Sequence, residues 1–343
     1  MVGLAVRDDV QFSLGLGLTN ECNLACSFCY RDPTRTDRLT LAQVQEVLGS
    51  LSVRSINLGT GENGMHPEFP AMLAYLRTQP VKLTITSNGH SIAVLRDEDL
   101  VAFAEVEFSL DYATREEQDA QRGAGNWDLV HQQAARCRRL GVGVTIIAVM
   151  MRTNWSRLAD IAEVAALYDA PLRLNVYQAV RSDAFALTYE EYWDGFAALF
   201  ARTDVVAIGE PLVRAMAGLP PRAGGCGVAT VRVTPRATVQ PCVYWPGAGA
   251  PLDVLLDLGG DIVGTPAFAA ARSLPPKCVG CEFQAPCNGG CAGRRRLLDV
   301  LDQPDPYCPV IRNDDRRLNV RMAPSRDMAK LESACTTIVV LRR

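Results

Sequence analysis

Apolar residues recur in two alternating rhythms along the first 200 positions. Short runs rich in Val, Ile, Leu and Thr, bounded by Gly, Asn or Asp, predict strands at 11–19, 55–59, 82–89, 106–111, 142–151 and 171–178. Between them, apolar residues spaced three and four apart predict helices at 39–51, 67–78, 127–141 and 156–170, with a helix end at 100–104. A further amphipathic helix, "YEEYWDGFAALF" (189–200), is expected to pack the junction with the segment that follows. Strands that alternate with helices form a parallel sheet, and six such units predict a full or partial barrel with its chemistry at the C-terminal strand ends. The expected fold class is therefore α/β: a partial (β/α)6 TIM-like barrel followed by a small Cys-rich domain.

Composition narrows the function classes. The 343 residues are 48% hydrophobic and 21% charged, a globular balance. A net charge of −3 and a pI of about 5.7 lack the basic footprint of a nucleic-acid binder. The local basic runs at 294–296 and 312–317 are expected to be solvated. Arg7, Asp8 and Asp9 interrupt the N-terminus before a long apolar region forms, and the apolar run at 144–151 is too short to span a bilayer. The expectation is a cytoplasmic protein with no membrane or nucleic-acid partner. Thiols stay reduced in that compartment, so twelve cysteines argue for metal-holding thiolates rather than a disulfide framework.

The cysteines fall into two groups. "TNECNLACSFCYRDP" (19–33) holds Cys22, Cys26 and Cys29 in a C-x3-C-x2-C pattern directly after the first expected strand. A disulfide needs two thiols and a structural zinc site usually four. A 4Fe-4S cluster also takes four, so a trio leaves one iron open for substrate or cofactor. The turn "GTGE" (59–62) follows the second strand and should face the same mouth. Gly59 and Gly61 allow a tight turn whose exposed N–H and C=O groups suit an amino-acid end, although an ordinary turn has the same composition.

With trio and turn in these positions, the chain resembles the radical S-adenosylmethionine enzymes over roughly residues 11–200. The resemblance implies that Cys22, Cys26 and Cys29 bind a 4Fe-4S cluster whose fourth iron chelates the cofactor, and that a 5′-deoxyadenosyl radical results. It further implies that Phe28 meets adenine and that Gly59, Thr60, Gly61 and Glu62 form the methionine-binding turn. The family more often shows GGE where this chain has GTGE. Ser87 and Asn88 in "TSNG", and Ser109 and Asp111 in "SLD", end later strands and are candidates for the ribose or the methionine carboxylate. Ordinary turn formation is the alternative for these four.

The second group, "CVGCEFQAPCNGGC", sets Cys278, Cys281, Cys287 and Cys291 in C-x2-C-x5-C-x3-C spacing, with Cys226 and Cys242 upstream and Cys308 downstream. This resembles the SPASM extension of the same enzymes, which holds two auxiliary 4Fe-4S clusters. The resemblance implies one cluster on Cys226, Cys242 and Cys291 and another on Cys278, Cys281, Cys287 and Cys308, three clusters in all. The family's usual glycine before the second cysteine is Ala237 here, and no cysteine lies just upstream of Cys226, so an open iron or a ligand such as Cys335 would complete the first auxiliary cluster. A zinc ribbon at 278–291 would leave Cys226, Cys242 and Cys308 without a purpose. Cys137 lies mid-helix as a packed thiol. The expected division is a barrel at 1–205, a junction at 206–218, the SPASM-like domain at 219–311 and a tail at 312–343.

Buried clusters span a wide range of potentials and can accept an electron from a substrate radical. The expected activity is hydrogen abstraction followed by oxidation, epimerisation or decarboxylation, with an electron donor such as flavodoxin or ferredoxin. About ten residues precede the first strand, which favours a small sugar or nucleoside intermediate of natural-product assembly as substrate. The alternative is maturation of a ribosomally made peptide. Asn175, Tyr177 and Arg181, with Gln178, end the sixth strand and are candidates to orient a polar substrate, with an ordinary solvated strand end as the alternative. An iron-sulfur electron carrier and a zinc-binding nucleic-acid module are the other classes. The first would not need the barrel, and the second should be basic.

Overall fold

The structure, a computed structural model, describes residues 11–222, 226–324 and 337–343. Six strands run parallel in chain order: β1 (Phe12–Leu16), β2 (Val53–Leu58), β3 (Lys82–Ser87), β4 (Glu105–Ser109), β5 (Gly143–Met150) and β6 (Leu172–Val176). Helices cross between them, as the periodicity predicts. Thr40 opens the helix Leu41–Ser50 with a capping box closed by Gln43, and Thr188 does the same with Glu191 for Tyr189–Arg202. The helix Asn126–Arg139 stops at Gly141, whose φ of 74° only glycine takes without strain.

Alternation along the strands divides the side chains. Leu14, Ile56, Ile85, Phe108, Ile146 and Leu174 join one apolar core with the helix residues Val44, Val47, Leu73, Val130 and Ile161. The intervening Ser55, Asn57, Thr86, Glu107, Arg173 and Asn175 line the bore. Burying each such Leu or Ile contributes about 1.5–3 kcal/mol, so the outer face stabilises the barrel while the inner face stays free for polar chemistry. Cys137 sits in the core, and burial pushes its thiol up to about 12.

The sheet extends past both ends of this partial barrel. β7 (Thr203–Ile208) follows the helix Tyr189–Arg202. β8 (Thr230–Val233) pairs in parallel with β1, and β9 (Thr238–Gln240) and β10 (Ala250–Pro251) continue from it antiparallel. β11 (Thr337–Arg342) then returns to lie antiparallel between β6 and β7. The segment expected as a tail thus supplies an internal strand, with Ile338, Val339 and Val340 fully buried. Cys335 lies outside the described residues.

Leu252–Ala271 is long and apolar enough by composition to cross a membrane. The chain breaks that run at Gly259, φ 51°, and buries Leu252, Leu255, Ile262 and Phe268 in the core.

One expectation of solvated charge is corrected. Arg294 and Arg295 are buried, 5% and 1% exposed, because each has partners that replace water. Arg295 donates to the carbonyls of Ser273 and Leu301. Arg294 bridges Glu210 at 2.8 Å and Asp305 at 2.6 Å, and its guanidinium lies 4.8 Å from the centre of the Tyr307 ring. Tyr307 stacks on Tyr192 at 4.2 Å, and its carbonyl accepts from Trp193 Nε1. This cluster fastens the Cys-rich region to the aromatic helix, as that helix's apolar face suggested. Two substitutions test the description by anaerobic denaturant unfolding. Arg294→Met leaves two buried carboxylates without their cation and is expected to cost about 3–5 kcal/mol. Ile338→Ala, which opens a cavity in β11, is expected to cost about 2–5 kcal/mol.

Candidate active site

The loop after β1 carries Cys22, Cys26 and Cys29 to the C-terminal ends of the parallel strands. The Cys29 N–H donates to the Cys26 carbonyl at 3.1 Å, and Arg31 ties the loop down through the carbonyls of Asn20 and Leu24. Cys22 Sγ accepts from the Leu24 N–H at 3.4 Å and from Asn88 Nδ2 at 3.5 Å. All three cysteines are free and line one cavity of about 350 Å³. Burial pushes the Cys22 thiol up to about 11 and also raises Cys26, with Arg122 partly opposing the latter. Binding of a metal by thiolates releases such protons, so a raised thiol makes the binding pH-dependent.

The GTGE turn is bound to this loop through its backbone. The Glu62 N–H donates to the Glu21 carbonyl at 2.6 Å, and a side chain on Gly61 (φ 60°) would start 2.3 Å from that same oxygen. The Glu62 carboxylate is buried and accepts from Ser87 Oγ, from the Asn88 N–H at 2.9 Å and from the Ser91 N–H at 2.7 Å. Ser87 Oγ also accepts from the Gly89 N–H, and Asn88 Nδ2 reaches Asn23 at 2.9 Å. Gly59, Thr60, Gly61, Glu62, Ser87 and Asn88 all border the trio's cavity, but Glu62, Ser87 and Asn88 have much of their bonding capacity committed to the three loops.

The other expected residues divide. Phe28 and Ser109 line the cavity. Asp111 does not: it is fully buried, accepts the Val149 N–H at 2.8 Å and holds Arg122 at 2.7 Å. The cavity receives Arg122 instead, whose guanidinium stands 5.2 Å from the Phe28 ring centre. Asn175 and Tyr177 line the cavity; Asn175 Oδ1 accepts from Thr337 Oγ1 at 3.0 Å, and the Tyr177 hydroxyl donates to the Ser182 carbonyl. Arg181 is exposed, outside the cavity lining, and donates to the Arg31 carbonyl at 3.2 Å. Sequence reasoning missed Arg122, Arg232 and the buried pair of Glu107 and Arg173, 3.1 Å apart, which Thr86 completes by donating to Glu107 at 2.5 Å. A signal existed for the pair. In "EVEFS" and "LRLNV" the polar residues occupy alternate positions, as a polar bore requires.

The seven cysteines between residues 226 and 308 fall in two places. Cys226 and Cys242 line the same cavity as the trio. Cys242 Sγ and Cys291 Sγ lie 3.6 and 3.8 Å from the point where a Gly293 side chain would begin, and they accept from the N–H groups of Tyr244 and Arg294, each at 3.4 Å. Cys278, Cys281, Cys287 and Cys308 line a smaller cavity with Leu212, Met216 and Phe283, and burial raises the thiols of Cys278, Cys287 and Cys308. Among the described residues, no three Cys, His, Asp or Glu side chains converge on one ion position. Grouped thiols with apolar walls and N–H donors to sulfur fit iron-sulfur clusters, whose potentials respond to those hydrogen bonds.

Comparisons with known proteins agree with this geometry. The radical SAM superfamily model matches residues 16–165. The mycofactocin maturase MftC of Mycobacterium ulcerans (strain Agy99) is 30% identical over 335 residues, 88% of each chain. MftC of Mycobacterium tuberculosis (strain ATCC 25618 / H37Rv) is 28% identical over 330 residues, 88% of this chain and 83% of the relative. Among solved structures, anSMEcpe with bound AdoMet gives a TM-score of 0.67 at 15% identity over 88% of this chain and 91% of that chain. Streptococcus suis SuiB bound to its precursor peptide SuiA gives 0.65 at 15% identity over 87% and 76%. At such identities the structural likeness is one of fold. With likeness to MftC along most of its length added to the barrel match, the chain belongs to the radical S-adenosylmethionine superfamily.

Proposed function

We propose that this enzyme matures a ribosomally made precursor peptide of the mycofactocin kind. The similarity to MftC carries the reading, because it spans 88% of the chain. It favours the peptide over the small sugar or nucleoside that the short segment before β1 suggested.

Cys22, Cys26 and Cys29 would hold the catalytic 4Fe-4S cluster beside S-adenosylmethionine, which together supply a 5′-deoxyadenosyl radical able to take hydrogen from an unactivated C–H bond. The backbone of Gly59, Thr60 and Gly61 offers polar groups to the methionine end. Arg122, oriented by Asp111, presents a cation to its carboxylate, and Phe28 gives adenine an apolar face. Ser109 is left for the ribose. Glu62, Ser87 and Asn88 position the loops that hold these groups. Asn175, Tyr177 and the Glu107–Arg173 pair face the substrate from the bore.

Cys226, Cys242 and Cys291 would hold one auxiliary 4Fe-4S cluster, and Cys278, Cys281, Cys287 and Cys308 a second. Cys226 and Cys242 line the trio's cavity, which supports placing this auxiliary cluster near the substrate. The same reading includes the barrel, junction and SPASM-like division, a flavodoxin- or ferredoxin-type donor and a cytoplasmic location.

Anaerobically reconstituted protein is expected to hold about 12 iron and 12 sulfide per chain, four of each per cluster. It should form 5′-deoxyadenosine on reduction, with deuterium transferred from a labelled precursor peptide; label arriving only from sugars or nucleosides would reject the peptide reading. Cys26→Ala is expected to abolish cofactor cleavage, whereas Cys281→Ala should retain some cleavage and lose product. Gly293→Val fills the space between Cys242 and Cys291 and should lower bound iron toward about 8 per chain while the trio's spectrum persists.

A further inference from the structure

Thr60 is the anomaly of the cofactor-facing turn. Its φ is 75°, in the left-handed region where a β-branched residue is a genuine outlier and glycine would sit freely. Such a conformation persists only where the surroundings over-determine it. Here the surroundings are polar and come from two other parts of the chain. The Thr60 hydroxyl accepts from Arg232 Nη2 and shares a 2.9 Å hydrogen bond with the Tyr30 hydroxyl. Arg232 also donates to the Gly59 carbonyl at 3.1 Å, so one guanidinium grips two consecutive residues of the turn.

The seat for that guanidinium is built into β1 and its exit. Gly15 pairs with Arg232 across the β1–β8 ladder, and a side chain there would start 2.8 Å from Arg232 Nη1. A side chain on Gly17 would start 3.2 Å from Thr60 Oγ1 and 3.3 Å from Arg232 Nη2. Tyr30 directly follows Cys29, and its ring meets Tyr244 edge-on at 5.6 Å, two residues beyond Cys242. All of these residues except Gly17 line the cavity.

We infer that Thr60, Arg232 and Tyr30 form a positioning node through which the Cys-rich module sets the shape of the turn, and with it the affinity for S-adenosylmethionine. Arg232 comes from a strand that follows Cys226 and precedes Cys242, so its placement depends on that module being folded against β1. The tyrosine hydroxyl connects the same node to the trio's loop. These residues act through the backbone of the turn. The inference rests on the reading of residues 59–62 as the S-adenosylmethionine turn.

The test uses the reconstituted holoenzyme and S-adenosylmethionine itself. Affinity is measured by anaerobic equilibrium dialysis and by the change the cofactor makes in the electron paramagnetic resonance of the reduced trio cluster. Iron content and melting temperature are recorded for each variant. Thr60→Ser keeps the hydroxyl and should bind like the wild type. Thr60→Val and Arg232→Met each remove a charge-assisted bond and should weaken binding about tenfold. Because the two share the Arg232–Thr60 bond, while each also loses a bond of its own to Gly59 or Tyr30, the double variant should lose clearly less than the hundredfold product of the single losses. Thr60→Gly removes the strain and the hydroxyl together, so it should keep or raise the melting temperature while binding several-fold more weakly. A merely structural brace predicts the reverse pattern: lower melting temperature with unchanged affinity in the folded fraction. Wild-type affinity in Thr60→Gly, or a multiplicative loss in the double variant, would overturn the node. If Thr60→Val or Arg232→Met does not fold, the Ser and Gly variants decide. Failure of the unsubstituted protein to bind S-adenosylmethionine would instead reject the reading of the turn.

Discussion

Strand β1 is hydrogen-bonded in parallel on both sides, to β2 in the barrel and to β8 in the Cys-rich region, and the spatial logic of the site depends on that double pairing. A parallel ladder fixes register on each flank. The loop leaving β1 therefore lies between the turn after β2 and the residues around β8. The trio, the glycine turn and Cys226 with Cys242 border a common space because one strand holds both neighbours.

Buried charge at this site serves mainly as fastening. Glu62 accepts three donors from the end of β3 and the segment after it, Asp111 holds Arg122 and a β5 amide, and Arg294 joins Glu210 to Asp305. Each ionised group is matched by donors or by an opposite charge, as removal from water demands. Carboxylates at strand ends look like ligands in a sequence, yet here they fix the orientation of the groups that meet the cavity.

The six barrel strands and the longer helices between them were legible because their periodicity is local and the caps lie within a few residues, whereas the polar helix Arg115–Arg122 was not anticipated. The trio and the seven later cysteines were legible because thiol spacing is informative by itself. Sequence resemblance grouped those seven; in the structure Cys278, Cys281, Cys287 and Cys308 line the smaller cavity, Cys226 and Cys242 line the trio's cavity, and Cys242 and Cys291 flank Gly293. What escaped depends on partners far away in the chain. Arg122 lies in the polar run "REEQDAQR", where nothing marks one arginine for the cavity, and only contact with Asp111 and Phe28 singles it out. Arg294 and Arg295 read as a solvated charge run because Glu210, 84 positions upstream, is invisible to any local window. Arg181 and Asp111 fit the rule that strand ends face the mouth, but Arg181 is exposed and bonded to the distant Arg31 carbonyl, while Asp111 is turned inward to the Val149 amide.

The insertion of β11 between β6 and β7 has a consequence for biosynthesis. Ile208 cannot meet Ile338 until the entire cysteine-rich region has been translated, because that region intervenes in the chain. Elongation proceeds at about 5–20 residues per second, so the exposed flank of β6 waits several seconds at the ribosome for its neighbour. An unsatisfied strand edge attracts other chains. Completion of the sheet is thus a late event in synthesis, and a nascent chain halted before it would be a target for chaperones.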